Sequence, residues 1–136
     1  MPKTRAFEIA ELIRHFKYDS DNDVISTEKR TQDKNKKRGS ATRTATTQFS
    51  LDTFLKADFR AARYIVAMSK GSDFHSTEVM LVHDGSTVTL TQYGTLKDTT
   101  LATIDADISG NDVRLLVTPS SATSTTIKFD RTLVEA

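Results

Sequence analysis

The chain has 136 residues, a formal net charge of +1, 37% hydrophobic residues and neither Cys nor Trp. That length fits one domain with an appendage, and the charge by itself gives no reason to expect a nucleic-acid partner. Without Cys there are no disulfides, no thiolate catalysis and no Cys-ligated zinc, and synthesis inside a cell is favoured over secretion, because small secreted domains usually carry bridges.

Ser and Thr make up about a quarter of the chain. Thr fits a pleated, half-exposed surface, so the body reads as β rather than helical. No apolar run approaches the ~20 residues of a membrane helix. The opening stretch MPKTRAFEIAELIRHF carries Glu8 and Glu11 among its apolar residues, which is not the pattern of a signal peptide.

Residues 4–18 read as one amphipathic helix. Ile9, Leu12, Ile13 and Phe16 recur at the helical period, while Glu8, Glu11, Arg14 and His15 take the other side. A helix of about fifteen residues is marginal alone in water. It therefore needs a surface, either its own β-domain or, preferred here, another subunit. Residues 1–18 are accordingly assigned as a docking helix.

Residues 19–46 read as an extended polar arm. Val24 and Ile25 are its large apolar residues, and its basic side chains are Lys29, Arg30, Lys34, Lys36, Lys37, Arg38 and Arg43, against Asp33 alone between Lys29 and Arg43. Such a segment buries too little apolar surface to offset the entropy of ordering it. It serves as a linker or as an arm laid on an acidic protein surface. Contact with nucleic-acid phosphate is the lesser alternative, because interleaved aromatic residues are missing.

Alternation begins near Thr46, and residues 47–136 form the β-domain. In QFSLDTF, Phe49 and Leu51 share one face, with Ser50 and Asp52 opposite. RYIVAM and TEVMLV are apolar on both faces, which predicts strands covered on both sides. STVTLTQYG, ATIDADIS, VRLLV and TTIKFDRTLV alternate more cleanly. Pro119 stops its strand, since it has no N–H to give a ladder. KGSD (70–73), HDGS (83–86) and SGND (109–112) are strong turn signals. About seven short antiparallel strands at this spacing predict a β-sandwich.

Chemistry is sparse. His75 and His83 lie at opposite ends of one predicted strand and cannot share a metal; His83 reads as a turn residue. Asp105 and Asp107 point to one face, which reads as the solvent side of a strand rather than a cation site. Neither G-x-S-x-G nor a Gly-rich phosphate loop occurs. Tyr93, beside Gly94, is the one candidate for recognition by a loop-tip ring. The expectation is that the chain is not an enzyme and needs no cofactor or metal.

The wording of the β-region carries a resemblance. FRAARY at Phe59–Tyr64, EVMLVHDG at Glu78–Gly85, TQYGT at Thr91–Thr95, DADISG at Asp105–Gly110 and VRLLVTP at Val113–Pro119 resemble a domain of virion structural proteins from tailed phages, notably tail-fibre-like proteins of marine and cyanobacterial phages. The likeness covers a little over half of the chain. It implies a β-sandwich module with a structural role in the virion, made in the host cytoplasm. The expected function is a tail, neck, baseplate or capsid-decoration component that assembles through its helix and arm with other virion proteins, as a homo-oligomer such as a trimer. The alternatives are a module that binds a host-surface glycan and a head protein that touches nucleic acid.

Overall fold

The computed structural model describes residues 35–136. The helix expected at 4–18, with Ile9, Leu12, Ile13 and Phe16, and the arm residues Lys29, Arg30 and Lys34 lie outside the described residues.

Eight strands follow in order: β1 (Lys36–Arg43), β2 (Phe49–Leu55), β3 (Phe59–Lys70), β4 (Asp73–His83), β5 (Val88–Lys97), β6 (Ala102–Ser109), β7 (Asp112–Pro119) and β8 (Thr125–Glu135). They make a five-stranded sheet, β1-β8-β3-β4-β5, and a three-stranded sheet, β2-β7-β6. Every pairing is antiparallel. The expected turns close the hairpins: Gly71 and Gly110 take φ of 60° and 63°, the left-handed conformation that a two-residue hairpin loop demands and that glycine accepts without steric cost.

The inner faces share one core. Tyr64, Val66 and Met68 of β3, Val79 and Leu81 of β4, and Ile127, Phe129 and Leu133 of β8 meet Phe54, Ile104, Val113, Leu115 and Val117 of the smaller sheet. Burying a side chain of this size contributes about 1.5–3 kcal/mol, so this layer supplies the main driving force for joining the sheets. The β-sandwich read from the sequence is the fold.

Four expectations need correction. The arm does not run to residue 46 as a linker, because Lys36–Arg43 is a strand paired along its length with β8, from Lys36 opposite Thr132 to Arg43 opposite Thr125. Its polar sequence hides this, since an edge strand is held by its neighbour's backbone more than by its own side chains. Second, β3 and β4 are not covered on both sides: Ile65, Met80 and Val82 stand 45–50% exposed, because the eight strands form only two layers. Third, Asp52 faces inward. A β-bulge between Ser50 and Asp52 inserts one residue and flips the phase of everything after it. Asp52 thus joins Phe54 in the interior, only 4% exposed. Fourth, His83 is the buried last residue of β4 rather than a turn residue.

Candidate functional site

A buried polar cluster ties the two sheets together. The Asp52 carboxylate accepts three hydrogen bonds. Tyr64 Oη donates to Oδ2 at 2.9 Å, Arg131 Nη1 to Oδ2 at 2.8 Å, and Lys37 Nζ to Oδ1 at 2.8 Å. Asp52 belongs to the small sheet, and its three donors sit on β3, β8 and β1 of the large one. Burial, and then the adjacent carboxylate, push the Tyr64 phenol far above its ordinary value, so it stays protonated and donates. With one acceptor and three committed donors, the cluster is a cross-sheet tie rather than an acid–base pair.

The two inward-facing histidines are also tied down. His75 Nδ1 accepts the Leu101 N–H at 3.1 Å, while the Leu101 carbonyl takes the Ser120 N–H at 2.9 Å. The ring therefore anchors the crossover from β5 to β6. Burial first, and then the Lys97 charge, hold His75 below the ordinary imidazole value. His83 Nδ1 accepts the Gly85 N–H at 3.0 Å, which leaves Nε2 as the donor to the Phe59 carbonyl at 2.7 Å. Asp107 is engaged by Arg114 through two bonds of 2.8 and 2.6 Å, and this pairing holds its carboxyl below the usual range. Among the described residues no group of three or more His, Asp or Glu is placed to hold a metal.

The open surface lies on the outer face of the five-stranded sheet. Register sets its rows. One runs Lys36, Thr132, Arg63, Met80, Thr91, and the next Arg38, Asp130, Ile65, Glu78, Tyr93. Arg63 Nη2 meets Glu78 Oε1 at 3.0 Å, and Arg38 faces Asp130 at 3.7 Å. Lys36, Thr132 and Arg63 of the first row, with Arg38, Asp130 and Ile65 of the second, wall a shallow groove of about 490 Å³ across β1, β8 and β3. A second of about 210 Å³ lies over Ala61, Met80 and Val82. Eight large hydrophobic side chains are exposed among the described residues, and seven of them occupy or border this face: Ile65, Phe74, Met80, Val82, Tyr93, Leu96 and Val134. The exception, Leu55, belongs to the other sheet.

The residues singled out from sequence fall differently from expectation. Tyr93 is not at a loop tip but within β5, on the open face, where Gly94 at φ 62° lets β5 carry an extra residue against Ser76–Glu78 of β4. The four basic residues of the arm that are described lie on β1. Lys37 is spent on Asp52, Arg38 faces Asp130, and the Arg43 guanidinium lies 4.1 Å from the Phe49 ring centroid. Lys36 is exposed at the start of that strand. The alternation analysis missed Asp52 and Arg131. A signal for the second was present: Ile127, Phe129, Arg131 and Leu133 recur at a spacing of two, which puts a guanidinium on a core face and requires a carboxylate to meet it.

No protein-family model matches the chain, and no curated protein does. Solved structures do. The tailspike protein of Acinetobacter phage vB_ApiP_P1 matches with a TM-score of 0.51 and 14% identity, over 75% of this chain and 22% of that one. The tailspike of Acinetobacter baumannii phage AM24 matches at 0.40 and 11%, over 78% and 27%. The tailspike gp49 of Acinetobacter baumannii bacteriophage Fri1, described as a capsular polysaccharide depolymerase, matches at 0.33 and 15%, over 74% and 20%. This chain thus spans about a fifth to a quarter of each tailspike. The expectation that the chain is not an enzyme is withdrawn on this finding, since one of the proteins it resembles is described as a depolymerase. What the first match shows is the fold: this sandwich has the architecture of a domain-sized portion of a phage tailspike.

Proposed function

We propose that the chain is a tail component of a phage particle, in which the sandwich is a structural module and residues before Asn35 attach it to other virion proteins. The observation that carries this reading is the shared architecture with the vB_ApiP_P1 tailspike over 75% of the chain. It agrees with the phage-virion resemblance of the β-region. In this reading Ile9, Leu12, Ile13 and Phe16 dock on a neighbouring subunit, and the chain works as a homo-oligomer.

The experiment is to raise antibodies against residues 47–136 and apply them, gold-labelled, to purified particles of the phage that encodes the chain. Label on the tail supports the proposal. Particles that lack the protein by mass spectrometry, or that carry label over the head, contradict it.

A second reading, recognition of a host-surface glycan, has one observation in its favour. Tyr93, 38% exposed, stands on an open face beside the Arg63 guanidinium, and rings of this kind stack on sugars. Binding to a host-glycan array that disappears in Tyr93→Ala supports it. Nucleic-acid contact has no such observation in its favour: on β1, Lys37 bonds the buried Asp52, while Arg38 and Arg43 meet Asp130 and the Phe49 ring at the surface.

A further inference from the structure

We infer that the outer face of the five-stranded sheet is covered by the same face of a second copy of this chain, about a two-fold axis running along the strands between β3 and β4. The inference is independent of where on a particle the protein sits.

Three observations converge on it. The first is the distribution of apolar surface. Seven of the eight exposed large hydrophobic side chains lie on or at the border of this one face. Monomeric proteins rarely leave so much apolar surface contiguous. The second is area. The four strands β8, β3, β4 and β5, ~4.8 Å apart and about eleven residues long at ~3.3 Å each, give a face of roughly 700 Å². That is close to the ~800 Å² per partner of a standard stable interface. A narrow peptide would leave much of it open.

The third observation selects a second copy over an unrelated partner. A two-fold interface must be self-complementary, residue i meeting j while j meets i. The middle of this face carries one cation and one anion on adjacent strands, Arg63 of β3 and Glu78 of β4, already 3.0 Å apart. An axis between those strands lays β3 of each copy over β4 of the other. Each Arg63 then reaches the partner's acid as well as its own. The same operation places β8 over β5 of the second copy, so that Val134 falls over Thr89, with Ala61 against Val82 beside it. It leaves β1 beyond the overlap. Lys36 and Arg38, whose like charges would repel across a two-fold, therefore fall at the solvated rim. A polar, solvated rim is the usual anatomy of a stable interface.

The test uses the full chain and light scattering across a concentration series. The expected mass is twice that of the chain, falling to one chain on dilution. All residues to be changed point outward, and a thermal melt of each variant checks that the sandwich persists. Ile65→Lys with Met80→Lys should leave only monomer at concentrations where the native chain is dimeric. Arg63→Glu alone and Glu78→Arg alone should each weaken the dimer at least ~10-fold, since each change counts twice in a symmetric pair. The double variant Arg63→Glu/Glu78→Arg should restore most of the affinity. A chain monomeric at about 100 μM, a scale at which interfaces of this size normally associate, would overturn the inference. So would an oligomer that survives Ile65→Lys/Met80→Lys, or a failure of the charge swap to rescue.

Discussion

Around the Asp52 carboxylate, three donors from the large sheet meet one acceptor from the small one. Only 0% of the Asp52 side chain and 8% of that of Arg131 is exposed, whereas Lys37 is 49% exposed. The energetic weight therefore rests on Asp52 and Arg131, and the Lys37 bond adds little through its solvated ammonium. Removing one partner of a buried pair costs about 3–5 kcal/mol, because the other charge is stranded. Asp52→Leu should lower the unfolding free energy by about that much in urea titrations. Tyr64→Phe should cost about 1 kcal/mol, the net worth of one hydrogen bond. Asp52→Leu combined with Arg131→Met should recover much of the loss, since an apolar pair of similar bulk removes the stranded charge. At the same scale, His75 gives the fold a pH dependence. Its folded imidazole lies below the ordinary 6.5, so the unfolded chain binds the proton first. The stabilisation is complete above that value and declines as pH falls from it towards the lower folded value. Stability measured between about pH 7 and 5 should therefore drop in the native chain and drop less in His75→Gln, whatever the absolute stability of the variant.

Among the elements, β1 departs furthest from what its sequence displays. KKRGSATR has one apolar side chain larger than none, Ala41, and reads as solvated arm. Three contacts make it a strand: the ladder to β8, the Lys37–Asp52 bond, and Gly39. This glycine lies under the Phe129 ring, and a Cβ added there would collide with it. Gly39→Ala should force the ring from its core position and cost about 1–3 kcal/mol, a typical overpacking penalty; a denaturation midpoint unchanged by the substitution would mean that β1 is not seated there. Removing residues 1–34 should leave the melting transition in place. Removing 1–45 should lower it, because β8 loses its neighbour and Asp52 its Lys37. The strands from β3 to β8 are legible because turn residues at Gly71, Gly85 and Gly110 bracket them and their alternation holds apart from the register shifts near Phe59 and Gly94. The β2 bulge was not, because alternation carries no mark of an inserted residue: Phe49, Leu51 and Phe54 fit two phases equally well, and the wrong one sent Asp52 outward. The open face was misread for a related reason. Apolar residues on both sides of β3 and β4 look the same whether the second layer belongs to the chain or to another molecule.

At the scale of the whole molecule, the sandwich is closed inside and open on one side. The Asp52 tie and the shared core join the sheets, while the outer face of the larger sheet keeps Ile65, Met80, Val82 and Leu96 in water. In the proposed assembly a second copy of the chain covers this face. The methionines offer a direct reading. Met80 stands 50% exposed on the open face and Met68 3% exposed in the core, so Met68 is an internal control for unfolding. Mild peroxide oxidation, followed by peptide mass spectrometry, is to be compared between the dilute isolated chain and the assembled particle. The account requires that Met80 oxidise rapidly in the dilute chain and at least about tenfold more slowly once assembled, with Met68 slow in both. Met80 oxidising at the same rate in both states, with Met68 still protected, would contradict it.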